Sequence, residues 1–254
     1  MTSPLDQDEE TAARALATAW RTGVSTAPPS ARLDRLDRAG GYRIQQRVAG
    51  LLADDLGDQV GWKLGLTSLG SGSPAFHGSL FREMAHETER LVQLGPSIAP
   101  RIEVELALMP GLDISGTIGR DAVAALPFKA AVAFEIVDNR THPTKDESDW
   151  IADMATMRGV VLGPFIDLGA EMGWQVGSLD MSGERVAEGR VGEVVTDPFL
   201  SVARLSGRLS SGVRGIRAGD IIITGSLTGQ VAVRAGITYR GELTGFEAVE
   251  AVFI

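Results

Sequence analysis

The chain has 254 residues, 44% of them hydrophobic, and a formal charge of −9 at neutral pH. This is enough apolar material for a full core in one large domain or two modest ones, and the negative balance excludes a general positive field for nucleic acid or an anionic membrane. Having no cysteine excludes disulfides, thiolate metal sites and a cysteine nucleophile, and accords with the cytoplasm, the compartment expected here.

Residues 1–10 are acidic and hold no apolar stretch, so no secretory signal is expected; no run approaches the ~18 apolar residues of a membrane span. The 31 glycines exceed the ~7% average and point to turns and β structure. In chain order, Ala12, Leu16, Ala19 and Trp20 predict a helix over 9–22, with Asp6-x-x-Glu9 as its cap. Beyond the Ala27-Pro28-Pro29-Ser30 break, the stripe from Tyr42 through Val48 and Leu52 to Leu56 predicts a second helix over 41–56. A strand over 60–67 and a Gly/Ser-rich loop over 68–78 follow.

Strands are expected over 101–109 and 129–137, with a short helix over 120–126 between them. Residues 139–149 are polar and contain Pro143, a loop able to reach across a site. Val160–Leu162 and Phe165 are apolar in a glycine-rich frame, and Trp174, Val176, Leu179 and Met181 alternate before a Ser182-Gly183-Glu184 hairpin turn. A helix over 198–209 precedes four strands separated by glycine turns from Gly219 onward. No repeat or linker divides the chain. The organisation expected is a helical region, 1–58, packed on a β-rich core, 59–254, as one integrated unit.

Two segments carry chemistry. Ile102-Glu103-Val104-Glu105-Leu106 and Phe134-Glu135-Ile136-Val137-Asp138 place carboxylates inside apolar runs, where an unpaired charge costs several kcal/mol or more. On a strand Glu103 and Glu105 share a face, roughly 6.5 to 7 Å apart. That spacing fits either the solvated face of an edge strand or half of a cation site. Glu135, alone in an apolar run, shifts the balance toward a cation shared by all three. An all-oxygen donor set suits Mg²⁺, Mn²⁺ or Ca²⁺ rather than zinc or copper. Late in the chain, Thr224-Gly225-Ser226-Leu227-Thr228 is either a plain hairpin turn or a substrate cradle, with the Ser226 and Thr228 hydroxyls as donors.

Five segments in order complete a pattern: Gly61-Trp62-Lys63-Leu64-Gly65-Leu66-Thr67-Ser68, Pro100 to Leu106, Glu135 to Arg140, Ile151-Ala152-Asp153, and Ala218 to Leu227. From about Tyr42 onward the chain resembles the 2-keto-4-pentenoate hydratase family, which includes 4-oxalocrotonate decarboxylase and belongs to the fumarylacetoacetate hydrolase superfamily. The resemblance implies an α+β fold built on a mixed, β-rich rolled sheet with an N-terminal helical region. It also implies Mg²⁺ or Mn²⁺, homo-oligomers and small 2-keto acid substrates from aromatic catabolism. By motif, Glu103, Glu105 and Glu135 match the metal ligands and Lys63 the catalytic lysine. Thr156 falls in a substrate-facing motif, and Asp138 with Arg140 matches a strand-end motif expected to be a structural ion pair.

Three departures stand out. Pro74-Ala75-Phe76-His77-Gly78 replaces an acidic motif, Ala152-Asp153-Met154-Ala155-Thr156 carries a thioether where an amide is usual, and Val195-Thr196-Asp197-Pro198 lacks a histidine. His77 enters where the acid is missing, and its ordinary pKa near 6.5 suits proton transfer, so it is expected as a second catalytic residue. Arg101, Arg140 and Arg158 are candidate partners for a second carboxylate on the substrate tail.

The leading expectation is a divalent-metal lyase hydrating a 2-hydroxy-dienoic or 2-keto-enoic acid. Alternatives are decarboxylation of a 2-keto acid, carbon–carbon hydrolysis of an acylpyruvate, a non-catalytic metal-binding homologue, and a calcium-dependent binding module.

Overall fold

The computed structural model describes residues 5–65, 67, 75–88, 90–144, 146–168, 176–193, 197–209 and 214–254. Among these, helices α1 (Gln7–Thr22), α2 (Arg38–Leu51) and α3 (Ala53–Leu56) precede strands β1 (Gln59–Gly65), β2 (Phe76–Phe81), β3 (Ala85–Glu87), β4 (Arg90–Val92) and β5 (Arg101–Pro110). Then come α4 (Arg120–Ala124), β6 (Phe128–Val137), α5 (Glu147–Ala152), β7 (Met157–Leu162), β8 (Ile166–Leu168), β9 (Val176–Met181), β10 (Glu184–Arg190) and α6 (Pro198–Leu209). The chain closes with β11 (Ile221–Ser226), β12 (Val231–Ala232), β13 (Thr238–Leu243) and β14 (Val249–Phe253). No helix among the described residues is long and apolar enough to cross a membrane.

The elements match most of the expected boundaries. Asp6 caps α1 through its side chain on Glu9 N, with Glu9 answering in a capping box, and Gly23 ends the helix at φ 67°. The second expected helix is split at Leu52 into α2 and α3. The expected loop over 68–78 is corrected at its end: Phe76 to Gly78 open strand β2, while residues 68–74 lie outside the description. Trp174, Val195 and Thr196 also lie outside it.

The strands form two sheets. The larger runs β2-β1-β11-β5-β6-β7-β3, with β12 on β5 and β8 on β6; the smaller runs β10-β9-β13-β14-β4. Side chains alternate across the large sheet. One face of β5 and β6 buries Val104, Leu106, Leu108, Val132 and Phe134 against Leu179, Tyr239 and Phe253 of the small sheet and Phe199 and Val202 of α6. The other face carries Ala107 and Ala133 under Leu16 and Trp20 of α1 and Ile44 and Val48 of α2. Glu103 and Glu105 belong to this second, helix-covered face by parity with Ala107.

Parity also decides His77. It pairs with Leu64 across the β1–β2 ladder, whereas Lys63 pairs with Gly78, so His77 stands on the side of Leu64 and Trp62, away from the lysine. There it stacks on Tyr42 with ring centroids 4.5 Å apart, meets the Trp62 ring edge at 5.6 Å, and has Tyr42 Oη 3.2 Å from Nδ1. Burial, reinforced by Arg208 and Arg38, pulls its pKa down to about 4. Unfolded, His77 titrates near 6.5, so the unfolded chain binds more protons between these values, and stability falls as pH drops from about 6.5 toward 4. His77→Gln removes this titration. Between pH 7 and pH 4.5 the variant should lose about 2 kcal/mol less stability than the parent, measured by urea unfolding at both values; equal losses would contradict a neutral, buried His77.

Candidate active site

Strands β5 and β6 lie antiparallel with Glu103 directly opposite Glu135 and Glu105 opposite Ala133. Opposed residues share a face, so the register alone collects three carboxylates. One oxygen from each of Glu103, Glu105 and Glu135 lies within 4.8 Å of the other two. Glu105 and Glu135 are fully buried and Glu103 is half-buried.

Lys63 arrives from β1, two strands away across β11. Its Nζ is 2.7 Å from Glu135 Oε1 and donates to the Ala155 carbonyl at 3.1 Å. Burial pulls the lysine's pKa down, but Glu135, Glu105 and Glu103 together outweigh it and leave it raised, so the amine is charged. The carboxylates feel the opposite pressure. Burial and the Glu135 charge push Glu103 up to about 7, and burial with Glu135 and Glu103 holds Glu105 well above the carboxylate range. Gly225 N donates to Glu105 Oε2 at 2.6 Å; its φ of 125° suits glycine.

The charge balance identifies what fits. The raised Glu103 and Glu105 show that the cluster without a further cation resists full ionisation; fully ionised, three carboxylates and one ammonium would carry two negative charges, the complement of one divalent cation. Neither oxygen of Glu135 has a hydrogen-bond partner among the described residues, Oε1 having only the Lys63 charge beside it, and buried acceptors left so point to an ion or water at the site. With oxygen donors only, the set suits a hard ion.

The cluster lines a cavity of about 780 Å³. Thr156 and Ser226, both expected to bind substrate, line it together with Lys63. Thr228 does not: its Oγ1 accepts from Val104 N at 3.0 Å, bracing β5 between the two glutamates. His77 is likewise not among the lining residues, because its parity turns it away. Of the candidate tail partners, Arg101 lines the cavity, two residues beyond Glu103 on the same face. Arg140 is buried on Asp153, and Arg158 stacks 4.4 Å over the Trp20 ring while donating to the Leu94 and Trp20 carbonyls.

The expected Asp138–Arg140 pair is also corrected. Asp138 instead accepts from Ile98 N at 3.0 Å and Ala99 N at 2.9 Å, pinning a stretch of cavity wall, while Arg140 turns to Asp153 at 2.5 Å. Of the noted departures, Met154 is buried in the helix-side core and Ala75 is not among the residues lining the cavity. Residues missed by sequence reasoning are Phe76, Trp150, Asn139, His142 and Gln230, all on the wall. Alternation from Glu105 through Glu103 already marked Arg101, whereas Trp150 is brought there by α5.

Met154, Ala155 and Thr156 are three successive non-glycine residues at φ 52°, 56° and 58°. Left-handed backbone costs roughly 1–2 kcal/mol per residue, and such strain persists where surrounding contacts impose it. The turn delivers the Ala155 carbonyl to Lys63 and Thr156 to the cavity.

Comparison with known proteins agrees with this geometry. The model of the family described as fumarylacetoacetate (FAA) hydrolase C-terminal matches residues 80–253. A 2-keto-4-pentenoate hydratase of Paraburkholderia phymatum is 32% identical over 223 residues, 84% of each chain. The 2-keto-4-pentenoate hydratase 1 of Dechloromonas aromatica is 30% identical over 255 residues, 96% of each chain. In fold, the chain superposes on 4-oxalocrotonate decarboxylase from Pseudomonas putida G7, complexed with magnesium and adipate, with a TM-score of 0.90 at 23% identity over 100% of both chains. With its two strands of opposed glutamates inside the matched segment, the chain belongs to the fumarylacetoacetate hydrolase family.

Proposed function

We propose that the protein is a divalent-metal-dependent lyase that hydrates a small 2-hydroxy-dienoic or 2-keto-enoic acid. The observation that carries this reading is the cluster of three carboxylates within 4.8 Å, with a charged lysine beside it, lining a cavity large enough for a small organic acid. The names of the hydratase relatives support it. Glu103, Glu105 and Glu135 would hold Mg²⁺ or Mn²⁺. When bound, such an ion supplies Lewis acidity that lowers the cost of negative charge on a 2-keto acid's oxygens.

The chain's own residues supply the rest. Lys63 holds a proton at Nζ beside the position where an enolic oxygen and its neighbouring carbon would lie. Ser226 and Thr156 offer hydroxyls that orient the acid head. Phe76 and Trp150 give the cavity apolar wall that excludes bulk water from the tail. Thr228 acts at one remove, by fixing β5.

Arg101 favours a second reading. It donates to Gln230 Oε1 at 3.2 Å and has no carboxylate partner among the described residues, so it can receive a carboxylate on the tail. Such a substrate would suit decarboxylation of a 2-keto diacid.

Incubation with a 2-hydroxy-dienoic acid and Mg²⁺ or Mn²⁺ should consume the dienol and yield a 4-hydroxy-2-keto acid without carbon dioxide. Release of carbon dioxide from a diacid assigns the second reading. Inertness toward a panel of 2-keto acids, despite tight metal binding, would leave a non-catalytic homologue.

Glu135→Gln should weaken Mn²⁺ binding at least about tenfold, since even the loss of an outer-shell partner costs about that much, as read by calorimetry; unchanged affinity would sink the metal assignment. Lys63→Gln should retain the metal but lower kcat by about 10²–10⁴, the range for a lost general acid or base, with KM little changed.

A further inference from the structure

The contacts of the left-handed turn converge on one guanidinium. Arg140 donates from Nε to Asp153 Oδ1 at 2.5 Å, and its backbone N–H reaches Asp153 Oδ2 at 2.8 Å. Its Nη2 donates to the carbonyls of Asp153 at 2.9 Å and Met157 at 3.2 Å. These two carbonyls flank residues 154–156 on either side, so a single nitrogen spans the turn. Thr156 N closes it on the Asp153 carbonyl at 2.7 Å, and the Thr156 carbonyl accepts from Asp138 N at 2.9 Å. Arg140 and Asp153 are each 1% exposed, and the guanidinium lies 4.6 Å from the Trp20 ring centroid. From the other side, β2 presses on the turn at Gly78, where a Cβ would come within 2.8 Å of Ala155 Cβ and 2.9 Å of the Met154 carbonyl oxygen.

The turn's product is one hydrogen bond, from Lys63 Nζ to the Ala155 carbonyl. An ammonium has three N–H donors. Ala155 accepts one, while the Glu135 carboxylate 2.7 Å from Nζ holds the head group by charge, so the two together set the amine's orientation where Lys63 lines the cavity. We propose that Arg140 and Asp153 are positioning residues for Lys63: their buried ion pair clamps the Met154–Thr156 turn so that the Ala155 carbonyl orients the lysine's ammonium toward the substrate. Gly78 serves the same end by leaving room for the turn. This inference rests on the reading of Lys63 as the residue that holds the proton.

The test is a double-mutant cycle. Asp153→Asn and Gly78→Ala are each made alone and in a Lys63→Gln background, with kcat, KM and Mn²⁺ affinity measured on chains shown to be folded by circular dichroism. Gly78→Ala is the safer variant, because it disturbs the turn without opening a buried ion pair. Each single variant is expected to lower kcat about tenfold or more, with KM and metal affinity within about twofold, and to cost less than about twofold further once Lys63 is gone, since residues acting through one group are not additive.

A readout independent of turnover is the acylation rate of the lysine. Only Lys63, Lys129 and Lys145 occur in the chain, so peptide mass spectrometry separates them, and Lys63 labelling is expected to quicken in both variants while Lys129 labelling holds. Losses in kcat that multiply with that of Lys63→Gln, or unaltered kcat and labelling in folded Gly78→Ala, would overturn the proposal. Should Lys63→Gln itself retain full kcat, the role given to Lys63 fails instead, and the labelling rates alone then decide whether the turn holds the amine.

Discussion

The crowding of Glu103, Glu105 and Glu135, which penalises their full ionisation, is the constraint on which the site depends. At an effective dielectric of about 20, two charges at the cluster's outer separation of 4.8 Å repel by about 3 kcal/mol, and one lysine offsets only part of three such pairs. The strands resist because their other sides are fixed. Val104 and Leu106, between and beside the two glutamates of β5, and Phe134 and Ile136, on either side of Glu135, are all 0–1% exposed. Rotating either strand to relieve the carboxylates would take these side chains out of the inter-sheet core, a loss of roughly 1.5–3 kcal/mol for each large apolar residue. The hydrophobic face therefore holds the polar face in a geometry it would not adopt alone.

This coupling explains which parts of the site were legible. A period of two puts Glu103 and Glu105 on one side whatever the tertiary structure. Glu135 needs more, because a slip of one residue in the β5–β6 register would send it to the opposite face, and that register is set by pairing along the whole of both strands. Lys63 needs more again. It reaches the cluster through a strand order, β1-β11-β5, that local sequence does not encode; the family resemblance marked the residue but not that order.

The misreadings share a cause. His77 sits beside Gly78, which opposes Lys63, but the segment is strand rather than loop, and strand parity sends neighbours to opposite faces. Asp138 and Arg140 are two apart and of opposite charge, which suggested a local pair. Each finds a better-satisfied arrangement elsewhere: Asp138 with two backbone N–H groups, Arg140 with a carboxylate and two carbonyls. For buried ionic groups, completing the hydrogen-bond set outweighs proximity in sequence.

The candidate site also crosses the limit of the matched family segment. The carboxylates lie within residues 80–253, but Lys63 precedes them. The cavity rim is likewise tied across that limit: Asp149 accepts from Ser30 N at 2.8 Å, Ser30 Oγ at 2.6 Å and Thr144 Oγ1 at 2.6 Å, while Thr26 N donates to the Arg140 carbonyl at 2.9 Å. The N-terminal segment thus ties down the wall that faces the carboxylates. Repulsion and left-handed backbone are both concentrated here, so the site opposes folding where the surrounding cores favour it. A divalent ion that binds the folded chain and not the unfolded one stabilises it by mass action, and it does so by relieving the very charges that the sheet holds together. For a chain that binds such an ion, metal occupancy and fold stability would be one linked quantity, set by how firmly the two hydrophobic cores hold β5 against β6.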